Sequence, residues 1–407
     1  MEIRPILSAL LRSRTGAILI AAQVALTLAI VSNALFVVND RLALSARPSG
    51  VDESVVFHID LSPTRDIDDV AAMQRLDVDT LRAVPGVVDA AWSNQVPMGM
   101  SGWGLGLSHK EEDESLVLAA AWASPDSLVN TLGLTLVEGR DFLPSEYHEF
   151  DMRRGAMHAE SIIVTRRTAT QLFPDETSVV GRSVFMRTPA GFLPVSIVGV
   201  VERLKSPFAQ ASDNAWSGYI LPIRFLGQGT TYLVRVDRPD AMPAVQRDAE
   251  AALLGLRRDR VLANNRTLSQ VRDVRYAPQR SVAGMLIAVT IGLLLITGSG
   301  VVGMASLWVA QRRKQIGTRR ALGATRAAIL RYFLTENALI TSAGIVLGLI
   351  LGIVLNNVLV GQIEMPRLPL TYLAGSAAVL WLLGLVAVLG PAWRAAAVPP
   401  AVATRAA

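Results

Sequence analysis

The sequence predicts a membrane protein with four transmembrane α-helices and an α+β extracytoplasmic domain inserted between helices 1 and 2. Three observations carry this expectation. Four apolar runs, at residues 16–38, 282–310, 333–360 and 370–393, are each long enough at ~1.5 Å per residue to approach or exceed a ~30 Å hydrocarbon core. Between the first two runs, residues 39–281 alternate strand-like and helix-like pieces, the pattern of an α+β domain with two subdomains. Charge divides the same way: residues 39–279 hold 25 Lys/Arg and 31 Asp/Glu, and the remainder holds 14 basic and 3 acidic residues.

The elements follow in order. Residues 1–15 place Ile3, Ile6, Leu7, Leu10 and Leu11 on one helical face against Arg4 and Arg12, which predicts an amphipathic helix on the cytoplasmic leaflet. A plain basic flank is the alternative. The run at 16–38 far exceeds the ~7–15 apolar residues of a signal peptide, so it is expected to be an uncleaved anchor. In the inserted domain, Val55, Phe57, Ile59 and Leu61 alternate as in a half-buried strand. Residues 116–123, 161–165, 195–201 and 231–237 also read as strands. Residues 68–84 have helical spacing that stops at Pro85-Gly86, and residues 239–256 form a helix with proline in its first turn. A last helix, 269–279, is expected to feed directly into the second apolar run.

Basic residues fix the orientation. Arg312, Arg313, Lys314, Arg319, Arg320, Arg326 and Arg331 crowd the short loop 311–332, which therefore belongs in the cytoplasm. Both termini, including the tail 394–407, are then cytoplasmic. The domain 39–281 and the short loop 361–369 then lie on the other side of the membrane, outside the cytoplasm. The pI near 9.9 thus reports topology rather than nucleic-acid binding, since no basic stretch is interleaved with aromatics. With no cysteine, the inserted domain must rely on its own core.

The apolar runs contain almost no ionisable residue; Glu336, near the start of the third, is the exception. This argues against a proton-coupled carrier or a charged channel filter. Gln23, Ser32 and Asn33 in the first run are expected to contact other helices. Gly344, Gly348 and Gly352 recur every fourth residue, the spacing that lets helix backbones approach closely. The bilayer and a second copy of the chain or a paralogue are the expected partners of such a helix set.

The basic loop has internal design. Residues 312–322 read as a small helix stopped by Gly323, and Thr325 can cap the helix that follows. The run QIGTRRALGATRAAILRYFLTE resembles the coupling loop of the FtsX/MacB superfamily of ABC-transporter permeases. Ile316, Gly317, Arg319, Ala321, Leu322, Gly323, Ala324 and Glu336 match that pattern; Gln315 replaces the usual Glu and Thr318 an aliphatic residue. The resemblance implies that Gln315, Ile316, Gly317, Arg319, Arg320, Ala321, Leu322, Gly323 and Ala324 engage an ABC ATPase subunit. It extends outward through VPGVVDAAW, SPDSLVNTLGLTLVEGRDF, TRRTATQLFP and VSIVGVV, similar to the MacB-type periplasmic domain, and ends in PAWRAAAVPPAVATR.

Chemistry is absent from the motifs. The chain has no Gly-x4-Gly-Lys-Ser/Thr loop, no Gly-x-Ser-x-Gly elbow and no His-Glu-x-x-His. No catalytic, cofactor-binding or metal residue is therefore assigned, and ATP–Mg is expected on the partner ATPase alone. His148 with Glu146, Glu149 and Asp151, and His158 with Glu160, match no metal template and read as a polar loop. The stretch 92–103, rich in Trp, Met and Gly, is either a contact loop or a loop whose aromatics fold inward; the latter is favoured. The resemblance implies a permease that transmits motion for export of a drug, peptide or lipid-linked substrate, with a periplasmic adaptor as a further candidate partner. The alternative is an FtsX-like scaffold that regulates a cell-wall hydrolase without transport.

Overall fold

A computed structural model describes residues 14–111, 115–151, 157–207, 213–227, 230–363 and 367–397. The expected amphipathic helix at 1–15 lies almost wholly outside the described residues, as does most of the tail 394–407. The chain divides into two compact units. One comprises residues 1–43 and 279–407, the other residues 44–278.

The first unit is helical. It contains most of α1 (Arg14–Ala46), the C-terminal part of α6 (Leu268–Gln311), α7 (Arg313–Ala321), α8 (Arg326–Ile363) and α9 (Leu370–Ala396). Four of these are long and apolar enough to cross a membrane. The helices outrun the apolar segments that announce them. The first, expected at 16–38, continues to Ala46, because a helix needs a backbone stop rather than a change of polarity; Pro48 supplies one. The second begins at Leu268 instead of residue 282, so the expected helix 269–279 and the apolar run form one element. Pro278 lies within it, at the division between the units.

Helix α1 is the hub of this unit: 56% of its apolar window is buried, against 17% for α6 and 28% for α8 and α9. Small and polar residues make the contacts. A Cβ on Gly344 would lie 2.7 Å from the Ala21 carbonyl oxygen, and one on Gly348 would lie 2.8 Å from Leu28 Cβ. Gly352 faces Ser32 and Ala29 of α1 and Leu373 of α9. Asn33 donates to the Gly352 carbonyl at 3.1 Å and Gln23 to that of Ile296 at 3.1 Å. Thr27 and Thr297 share a hydrogen bond of 2.8 Å, and Asn337 donates to the Gly384 carbonyl at 2.9 Å. Each of these bonds satisfies a side chain that lipid could not.

The second unit is α+β. Its strands are β1 (Val56–Pro63), β2 (Val87–Ser93), β3 (Gly104–Ser108), β4 (Val117–Ala123), β5 (Leu136–Gly139) and β6 (His148–Phe150). Then come β7 (Ser161–Thr165), β8 (Ser183–Thr188), β9 (Gly191–Val201), β10 (Gly218–Leu221), β11 (Ile223–Phe225), β12 (Thr230–Val236) and β13 (Arg260–Thr267). Helices α2 (Val70–Arg82), α3 (Leu128–Thr131), α4 (Arg166–Leu172) and α5 (Met242–Leu256) lie among them.

Two sheets organise these elements. The first is antiparallel, in the order β13-β1-β12-β2. Val78 and Leu81 of α2 and Val245, Ala249 and Leu253 of α5 share its core with Phe57, Ile59, Tyr232 and Val234. The second has seven strands in the order β5-β9-β7-β10-β4-β3-β8. Because β8 pairs with both β3 and β9, six of its strands close into a ring. A closed sheet has few free edges, and its fill is apolar: Leu107, Ile162, Val184, Ile197 and Tyr219 share one buried cluster. β6 and β11 form a separate parallel pair.

The EGRDF stretch is a structural corner. Gly139 has φ +72°, and any Cβ there would strike the Val198 carbonyl. Arg140 holds Glu146 with two hydrogen bonds, at 2.7 and 3.0 Å, and Asp141 accepts from the Ser127 hydroxyl and the Phe142 amide. The Arg140 hydrogen bonds pull the Glu146 carboxyl down to about 2, against the opposing effect of burial.

Candidate functional site

The basic helix α7 is built by local rules at both ends. The Gly323 amide donates to the Arg320 carbonyl at 3.2 Å and the Ala324 amide to the Arg319 carbonyl at 3.0 Å, the double closure of a Schellman stop. Gly323 makes that stop possible with φ +93°, a left-handed conformation costly for a residue with a Cβ. Two residues on, Thr325 Oγ1 accepts from the Ala328 amide at 3.2 Å and caps α8. The sequence Gly323-Ala324-Thr325 thus ends one helix and starts the next.

Two attachments hold α7 against the membrane unit. Ile316 is buried in one cluster with Ile20, Val24, Trp308, Ile329 and Phe333, and Gly317 beside it is also buried. Arg312, immediately before α7, grips Glu336 of α8 through Nη1, at 2.9 Å to Oε1 and 2.8 Å to Oε2. The same nitrogen reaches the Tyr332 hydroxyl at 3.5 Å, and the Arg319 guanidinium lies over the Tyr332 ring, 5.2 Å from its centroid.

The remaining predicted residues face outward or lie half-buried. Gln315, Arg319, Ala321, Leu322 and Gly323 are exposed, and Arg320 and Ala324 are intermediate. Leu322 is 84% exposed at the end of a helix that is otherwise strongly basic. Arg320 Nε is buried without a hydrogen-bond partner. The surface therefore offers an apolar knob and guanidinium groups on a backbone fixed at both ends. That combination suits a protein partner carrying an apolar pocket and carboxylates.

Sequence reasoning missed the Arg312–Glu336 pair. A signal existed: Glu336 is a lone acidic residue inside an apolar run, and such residues normally have a partner. The glycines at 344, 348 and 352 are not part of this surface; they pack α8 against α1.

The other candidates resolve elsewhere in the fold. Trp92 is buried in β2, Met98 is buried with φ +60°, and Trp103 stands edge-on to Phe225 at 5.0 Å, so the aromatics fold inward; Met100 alone of these projects outward. His148 and His158 stack edge to face at 5.1 Å. Of their acidic neighbours, Glu146 is held by Arg140 and Glu149 by Arg75, while Glu160 lies 3.6 Å from His158. Among the described residues no group of three or more metal-ligating side chains assembles.

A helical unit with four spans, a small basic helix held on it and a large domain inserted after the first span define a multi-pass membrane protein of the permease type. Residues 16–252 match the MacB-like periplasmic core domain, and residues 287–400 match the FtsX-like permease C-terminal family. The chain belongs to the MacB/FtsX-like family of ABC-transporter permeases. It is 28% identical over 233 residues to the macrolide export ATP-binding/permease protein MacB of Bordetella avium, covering 56% of this chain and 34% of that one. It is 25% identical over 302 residues to the protein of the same name in Escherichia coli K12, covering 73% and 44%. The chain thus spans less than half the length of either relative. The extracellular domain of the noncanonic ABC-type transporter YknZ from Gram-positive bacteria aligns with 51% of this chain and 100% of its own, at 15% identity and a TM-score of 0.32.

Proposed function

We propose that this chain is the permease subunit of an ABC system and transmits ATP-driven motion to its inserted domain. A separate ABC ATPase subunit, carrying ATP–Mg, docks on residues 315–324 at the cytoplasmic face of the inner membrane. A second copy or a paralogue completes the membrane core. The inserted domain works in the periplasm, where it hands on a drug, peptide or lipid-linked substrate, with an adaptor protein as a candidate recipient.

The observation that supports this most is the attachment of α7. A helix that only carried positive-inside charge would need neither a buried anchor nor an ion pair. Here Ile316 and the Arg312–Glu336 pair tie it to α8, so a push on Leu322 or Arg319 is delivered to a membrane helix. The helices carry few ionisable groups, which suits movement rather than an ion path. ATP hydrolysis is assigned to the partner because these 407 residues contain no phosphate loop.

The test is purification from native membranes in gentle detergent, with mass spectrometry and an ATPase assay of the eluate. Vanadate-sensitive turnover with a co-eluting ABC ATPase is expected, and Arg319→Glu combined with Gly323→Pro removes it. Proline lacks the amide that Gly323 gives to Arg320, so the variant dismantles the Schellman stop. Unchanged ATPase recovery from the double variant sinks the docking assignment. Recovery of a cell-wall hydrolase alone points to the scaffold.

A further inference from the structure

A cavity of about 200 Å³ lies in the inserted domain between the first sheet, the 94–101 loop and the start of α6. A cavity of ~150 Å³ can hold a benzene ring, so this one accommodates a branched or cyclic group of side-chain size. From the sheet, His58 and Asp60 of β1 project on the same strand face, with His58 Nδ1 and Asp60 Oδ1 3.1 Å apart. Asn264 of β13 donates to the other carboxylate oxygen at 3.1 Å. The rest of the lining is mixed: Met98, Met100, Val271 and Val274 are apolar, and Asn94, Gln95 and Ser101 of the loop are polar.

Asp60 is the chemical centre of this cavity. Burial pushes its carboxyl upward, but hydrogen bonds from His58, Thr231 and Asn264 outweigh this and hold it below the ordinary value. It is therefore an anion at neutral pH, half-enclosed and fixed in place. Arg266 also lines the cavity; it is exposed, so the high dielectric there weakens its repulsion of a bound cation without removing it. Met100 suits a variable ligand, because a thioether side chain adapts its shape to what it covers.

We infer that this cavity is a binding site for a small ligand, or the end of a larger one, that carries an ammonium group on an apolar body. The ammonium meets the Asp60 carboxylate, and the apolar body lies against Val274 and Met100, the accessible apolar side chains of the lining. The site is separate from the proposed docking surface on α7 and does not depend on that assignment. Its occupant bears on α6, the helix that continues through Pro278 into the second apolar span.

The experiment uses the full chain in detergent and three isosteric probes: 3-methylbutylammonium, 3-methylbutanol and 3-methylbutanoate. The cation is expected to raise the thermal unfolding midpoint saturably and to slow amide exchange in peptides covering 94–101 and 268–278. The alcohol and the carboxylate leave both unchanged. Asp60→Asn weakens the cation's binding by about tenfold or more, since a charge-assisted contact is lost. Val274→Trp fills the apolar part of the cavity and abolishes binding while Asp60 is kept, which covers the case in which Asp60→Asn fails to fold. Equal effects from all three probes, no effect from the cation, or binding that survives Val274→Trp each overturn the assignment.

Discussion

Arg260 and Arg312 each close on a buried carboxylate, Asp77 at 2.6 Å and Glu336 at 2.8 Å, yet their surroundings have little in common. In the inserted domain the Arg260 and Asp77 side chains are 2% and 1% exposed. Asp77 also accepts from the Tyr232 hydroxyl at 2.6 Å, and Arg260 donates to the Leu253 carbonyl. The cluster ties α2, β12, α5 and β13 together and has no open side. In the membrane unit Glu336 is 1% exposed but Arg312 is 18% exposed, at the joint that leads into α7. One pair closes a core; the other sets the position of a helix whose outer face is free. A buried ion pair by itself is weak support for stability, so the difference lies in what each pair positions.

This contrast can be broken by removing one partner from each pair. Asp77→Ala leaves Arg260 buried without its carboxylate and should cost about 3–5 kcal/mol, read as a lowered unfolding midpoint and early proteolysis of the inserted domain. Replacing both partners, as Asp77→Leu with Arg260→Met, should recover most of the loss. If the single and double variants behave alike, the pair is not the organising contact. Glu336→Gln should cost less, about 1–3 kcal/mol, because water reaches Arg312 and the amide oxygen still accepts. Its main effect should fall on ATPase recovery, which drops severalfold while secondary structure by circular dichroism is unchanged. Full ATPase recovery in Glu336→Gln would remove the positional role claimed for that pair.

The helix contacts sharpen the same comparison. Gly348→Ala places a methyl 2.8 Å from Leu28 Cβ and 2.9 Å from the Ala25 carbonyl oxygen, an overpacking expected to cost about 1–3 kcal/mol. Gly303→Ala meets nothing within 4 Å and serves as the control. Equal midpoints for the two variants would mean that the glycine stripe does not set the α1–α8 spacing.

The most gradual effect concerns Lys205, a buried cation whose ammonium donates to the Arg47 carbonyl at 3.2 Å and lies 4.8 Å from the Tyr276 ring centroid. Burial, then the nearby Arg272 charge, push its pKa down to about 8 from an ordinary value of 10.5. Between those values the unfolded chain holds a proton that the folded chain has released, so stability rises with pH across that window. The slope is at most roughly 1.4 kcal/mol per pH unit. Lys205→Met should flatten this part of the stability profile; an unchanged slope would assign it to another group.

Legibility varied with the kind of residue pattern. Strand β7 was readable to the residue, β1, β4 and β12 nearly so, and β9 only over 195–201, because their alternation or apolar runs are local. β13 was missed: as an edge strand written RVLANNRT it carries almost no apolar signal. β2 was not read as a strand, and its Trp92 was read as the start of a loop, since the pairing that buries it comes from β12. In the candidate site, Gly323 and Thr325 were legible because each acts within a few residues. The Arg312–Glu336 pair joins positions on two helices and forms only when the chain folds back on itself.

By itself the sequence determined the spans, the inserted α+β domain, the basic helix with its stop and start, and the family. All of these rest on hydropathy, charge and turn chemistry read over short windows. Tertiary structure alone decided that α1 is the hub, which helix the glycine stripe meets, and that six strands close into a ring. It also decided which carboxylate each buried arginine finds, and that His58, Asp60 and Val274 share one cavity. These depend on distances between residues far apart in the chain, and no local pattern encodes them.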